Sequence, residues 1–111
     1  MNLGAALNPR LDVFEQVEAF AQAGFSYVDF GFDFPLTAET FDAGRFRDAL
    51  LENGLALHGQ TPAHLPFGSP YPTIREQAVA VAQKTLNVLE SLGAKTVIVH
   101  PDGAFWFQEA F

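Results

Sequence analysis

The residues of this sequence best suited to chemistry are its histidines and one carboxylate set among apolar neighbours. His58 follows Leu55-Ala56-Leu57 and precedes Gly59, and His100 ends the run Ala94-Lys95-Thr96-Val97-Ile98-Val99-His100, before Pro101-Asp102-Gly103. A neutral imidazole is a common metal ligand, and a rigid strand end fixes its direction. Two strands of one parallel sheet that both finish in histidine predict two imidazoles on one rim, the C-terminal rim where ligands and catalytic groups gather. Zinc in a catalytic site takes three protein ligands and an open position, so two histidines supply only part of such a set. Each can equally cap its strand through a local hydrogen bond. Asp29, within Phe25-Ser26-Tyr27-Val28-Asp29-Phe30-Gly31-Phe32, is costly inside a strand unless it is paired, ligating or solvated near the rim. It is a candidate to orient a substrate hydroxyl. His64, in Thr61-Pro62-Ala63-His64-Leu65-Pro66-Phe67, is a candidate substrate contact or a plain surface histidine. Asp33 reads as loop, and Asp102 as turn chemistry or an adjunct of His100.

These residues need elements to place them. A helical stretch, a glycine and a strand recur three times, at Gln22-Ala23-Gly24-Phe25, Glu52-Asn53-Gly54-Leu55 and Ser91-Leu92-Gly93-Ala94. Glycine just past a helix accepts the left-handed conformation that closes the last turn, and the immediate strand makes a short αβ connection. Val13, Phe14, Val17, Phe20 and Ala21 share one helical face, started by a capping box of Asp12 and Glu15. Arg45 to Asn53 reads as a shorter helix with Phe46, Ala49 and Leu50 inward. The third helix is expected to open on a Thr73–Glu76 capping box and to present Ile74, Ala78, Val81, Ala82, Leu86, Leu89 and Leu92 as its apolar stripe. Strands are expected over residues 2–7, 25–32, 55–58 and 95–100. The order βαβαβαβ implies an α/β fold with a parallel sheet and right-handed crossovers. A long loop, Gly59 to Pro72, rises from the same rim.

Composition narrows the functions. With 49% hydrophobic and 17% charged residues the chain is globular. It contains no cysteine, which excludes disulfides and thiolate metal sites. A net charge of −7 with six Lys and Arg argues against a nucleic-acid groove within these residues. No stretch approaches the roughly 20 apolar residues of a membrane span, and the start lacks a signal peptide's basic and apolar regions. Cytoplasm is the default compartment. There is no glycine-rich phosphate loop after the first strand, where Asn8-Pro9-Arg10 stands, which counts against a dinucleotide fold. Asp29-Phe30-Gly31 spells a kinase metal-binding triplet without the accompanying kinase motifs, a coincidence of letters.

Four strands and three helices fill residues 1–111, whereas a (β/α)8 barrel takes about 250 residues. The segment is therefore expected to be either one partial domain, the first half of such a barrel carrying one wall of a site, or a small open α/β sheet. Phe105, Trp106, Phe107 and Phe111 would then need cover from elsewhere. The strand ending in His58, the Pro-rich loop, the long amphipathic helix and Gly93-Ala94-Lys95-Thr96-Val97-Ile98-Val99-His100-Pro101 together resemble the xylose isomerase-like TIM-barrel superfamily. That group holds sugar isomerases, sugar epimerases and endonuclease IV-like DNA repair enzymes. The resemblance implies a metal-dependent sugar or sugar-phosphate isomerase or epimerase that moves a proton next to a carbonyl, with Mn, Mg, Zn or Co as the divalent ion. It matches His58 and His100 to histidines that ligate metal in the endonuclease-like members and lie around metal or substrate in epimerases. It matches Asp29 to a strand-two glutamate near the substrate. The family's catalytic acids lie on later strands, so none is assigned here, and the fragment alone is expected to be inactive. Its usual His-Pro-Gly is here His100-Pro101-Asp102-Gly103. The alternatives are a repair endonuclease, or a non-catalytic half-barrel whose open edges favour a homo-oligomer.

Overall fold

Gly24, Gly54 and Gly93 all adopt positive φ, at 87°, 65° and 81°, and each turns a finished helix directly into a strand. The computed structural model, which describes residues 2–33 and 35–100, builds seven elements around these turns. They are β1 (Gly4–Ala6), α1 (Val13–Gln22), β2 (Tyr27–Gly31), α2 (Ala43–Glu52), β3 (Ala56–Gln60), α3 (Pro72–Ser91) and β4 (Thr96–Ile98). The strands form one parallel sheet in the order β1-β2-β3-β4. Sequential order with helical crossovers is the arrangement of a barrel wall, not of a doubly wound sheet with a switch point. The C-terminal residues from Pro101 on, including Asp102 and the aromatic cluster, lie outside the described residues.

One face of the sheet meets the helices. Val28, Phe30 and Leu57 project toward them and join Val17, Phe46 and Leu50 in the main core. Phe30 and Phe46 are fully buried, with ring centroids 4.8 Å apart, and Phe41 packs 5.2 Å from each. Gly59 also faces the helices: a Cβ there would stand 2.7 Å from Leu89 Cδ1, so its missing side chain lets α3 approach the sheet. Phe14, Phe30, Phe32, Phe41 and Phe46 thus form one aromatic cluster that packs β2 against α2.

Helix starts are set by local hydrogen bonding. Asp12 caps α1, its Oδ1 accepting the amides of Phe14 and Glu15 at 2.8 and 3.1 Å. The reach-back from inside the helix is made by Gln16, which bonds Asn8 through both its amide oxygen and its nitrogen. Asp12→Ala is expected to cost about 1 kcal/mol, read as a lower midpoint in urea with unchanged slope. Asp42 caps α2 by accepting the Arg45 amide, which starts that helix two residues ahead of the expected Arg45. The capping box expected at Thr73 and Glu76 is not formed. Helix α3 begins two residues earlier, with Pro72 as its first residue and Tyr71 as a cap that offers no side-chain bond. Proline's fixed φ suits that position and supplants the threonine. The apolar stripe of α3 is also narrower than expected: Ala78, Ala82 and Leu89 are buried, but Ile74 and Val81 are exposed.

Candidate functional site

The other face of the sheet, here called the inner face, is polar. Strict alternation places Tyr27, Asp29 and Gly31 of β2 and Ala56, His58 and Gln60 of β3 on it, opposite the buried Val28, Phe30, Leu57 and Gly59. Thr96 joins them from β4. A parallel sheet in a packed fold is apolar on both faces, and the interior of a TIM barrel is ordinarily filled by branched apolar side chains. The residues here depart from that pattern along three strands.

The register decides which of them meet. His58 lies inside β3, not at its tip, opposite Asp29 on one side and Thr96 on the other. His100 follows Thr96 by four residues, about 13 Å of extended chain, and stands two residues past the end of β4. The two imidazoles are therefore not level on one rim. His58 Nδ1 shares a 2.9 Å hydrogen bond with the Thr96 hydroxyl, and its ring leans on Tyr27 with centroids 4.4 Å apart. His100 Nε2 instead meets Gln60 Oε1 at 2.8 Å, and it is Gln60 that occupies the strand end expected for His58.

Asp29 is half-buried, and its Oδ1 is sealed from solvent without a hydrogen-bond partner among the described residues. An unsatisfied buried carboxylate oxygen costs free energy, and such groups mark functional positions when an incoming ligand can supply the donor. His64 is exposed on the loop between β3 and α3. That loop is tied at its root. The Thr61 amide donates to Ile98 O at 2.9 Å, and Asp33 Oδ1 accepts the Ala63 amide at 2.9 Å. Asp33, read from the sequence as plain loop, thus fastens the segment that carries His64. Gln60 and Asp33 were the residues that sequence reasoning missed. Both act on partners more than 25 residues away.

Among the described residues no three His, Cys, Asp or Glu side chains converge as a metal site. A cleft of about 490 Å³ between α1 and α2, lined by Glu18, Asp42, Arg45 and Glu52, lies on the helix side and shares no residue with the inner face. No helix of the described residues is long and apolar enough to cross a membrane.

Comparison with known proteins agrees with this geometry. A family model described as xylose isomerase-like TIM barrel matches residues 17–109. No curated protein matches the sequence. Among solved structures, a D-allulose 3-epimerase from Methylomonas sp. superposes with a TM-score of 0.73 at 20% identity, over 89% of this chain and 36% of that one. A D-psicose 3-epimerase from Clostridium cellulolyticum H10, solved with D-tagatose, gives 0.71 at 20% identity, over 89% and 37%. The Methylomonas enzyme in complex with D-allulose gives 0.66 at 23% identity, over 78% and 30%. The chain therefore spans little more than a third of the length of these neighbours, and the match is to their N-terminal strands and helices.

Proposed function

The chain belongs to the xylose isomerase-like TIM-barrel family, and on that premise we propose that its inner sheet face is one wall of a carbohydrate site. The parent activity would be a sugar or sugar-phosphate isomerase or epimerase that moves a proton next to a carbonyl. The observation that carries this reading is the polar inner face with the partnerless Asp29 Oδ1 at its middle. Asp29 would accept a substrate hydroxyl. The Gln60–His100 pair, one step nearer the rim, offers a further amide and an imidazole. His64 would touch the substrate from the loop above. The neighbours whose names specify D-allulose or D-tagatose support a neutral ketose as the class to try first.

A divalent ion bound in the complete barrel would polarise the substrate carbonyl. The residues described here do not fit an ion on their own. His58 and His100 are separate rings, each already engaged, and no third ligand stands near. Their assignment as metal ligands rests on the resemblance and not on convergence. The chain alone is expected to turn over no sugar.

Chemical-shift mapping of the isolated chain with D-allulose at high millimolar concentration, against glycerol as control, tests the reading. The expected response centres on Asp29, His58, Gln60 and His100. A response centred on the helices, or none at all, would overturn it.

A further inference from the structure

Gly4 and Tyr27 are register partners on β1 and β2, and they share the inner face. A Cβ on Gly4 would fall within the ring of Tyr27, against its Cδ2, Cε2 and Cζ atoms. The tyrosine ring therefore lies flat across the backbone of β1. Its other contact is the His58 ring on β3, and His58 in turn bonds Thr96 on β4. Gly4, Tyr27, His58 and Thr96 thus make one continuous band across all four strands. Tyr27 opens β2, so its ring and Gly4 lie toward the N-terminal end of the sheet, and the band climbs toward the rim from there to His58 and Thr96. Asp29 stands two residues nearer the C-terminal rim than Tyr27, about 6.6 Å above it, and is level in register with His58 and Thr96.

A ligand that enters from the rim and donates to the Asp29 carboxylate lies beside His58 and Thr96 and meets the Tyr27 ring next. The hydroxyl of Thr96 and one nitrogen of His58 are already spent on each other, and Tyr27 presents carbon. We propose that Tyr27 is the floor of the site and a specificity-determining residue, fixing how many carbons of a ketose fit below Asp29. The proposal rests on the carbohydrate reading given above and adds its depth limit. An aromatic ring is a rigid platform whose apolar face suits the C–H face of a sugar. Gly4 is what allows the ring to lie low enough to leave that space, which gives the glycine a reason independent of backbone conformation.

The test is a set of NMR titrations of the chain with a five-carbon, a six-carbon and a seven-carbon ketose: D-ribulose, D-allulose and D-sedoheptulose. Tyr27→Phe keeps the floor and should retain the wild-type ranking. Tyr27→Ala removes it and should shift the ratio of seven- to six-carbon affinity by about tenfold, the scale at which pockets discriminate single carbons. Proton spectra supply a check on the geometry that needs no ligand. The Gly4 α-protons should show a ring-current shift in wild type and Tyr27→Phe that vanishes in Tyr27→Ala. An unchanged affinity ratio in a folded Tyr27→Ala would overturn the depth limit while leaving the carbohydrate reading intact. Binding of no ketose by the wild type would overturn both.

Discussion

Phe46→Ala is expected to lower the unfolding free energy by about 3–5 kcal/mol, the usual cost of deleting a buried aromatic ring. The residue is completely buried, and its ring closes a triangle with those of Phe30 and Phe41, with Phe14 edge-on to it. Removing it withdraws apolar area and leaves a cavity whose walls are themselves rings tied to β2 and α2, which collapse poorly. Against a total stability of about 5–15 kcal/mol for a small domain, the loss takes a large share. Urea unfolding followed by circular dichroism measures it. Leu51→Ala is the matched control, since Leu51 is 70% exposed on the same helix and should change stability by no more than about 0.5 kcal/mol. Equal effects of the two substitutions would contradict the placement of the core on the helix side of the sheet.

Asp29→Ala should have two effects of opposite value. It removes a carboxylate oxygen that is buried without a partner, so stability should rise by about 1 kcal/mol. It also removes the acceptor proposed for the substrate hydroxyl. A hydrogen bond to a charged group contributes about 1.5–3 kcal/mol, so affinity for a ketose should fall on the order of tenfold or more. The same urea series and the same titration measure the two quantities. A folded variant that is less stable and binds as before would mean that Asp29 serves the fold. This coupling of lost stability to gained function is what an unsatisfied polar atom in a binding wall implies.

Much of the architecture was legible because it is locally encoded. The three glycine turns follow from the backbone that only glycine adopts readily, and Asp12 caps its helix through atoms two and three residues away. The βαβ order, and with it the sheet direction, follows from those local signals. Element ends were less legible where a distant residue decides them. Gly59 reads as the end of β3, since glycine weakens a strand, but Leu89 presses on it from α3 and the strand continues to Gln60. That one extension moved His58 off the rim and put Gln60 beside His100. Asp33 was unreadable for the same reason, because its acceptor oxygen serves an amide thirty residues on. Asp29 was recognised as an anomaly from its neighbours alone. Its missing partner became visible only with the sheet assembled.

The polar inner face, and not the pair of histidines, is therefore the feature on which the proposed carbohydrate site rests. A crystal of the chain soaked in D-allulose tests that claim most directly. The account predicts sugar density against β2 and β3, with one hydroxyl within hydrogen-bonding distance of the Asp29 carboxylate and the carbon skeleton resting on Tyr27. Density confined to the helix side, or a solvent-open inner face that stays empty of sugar, would contradict it.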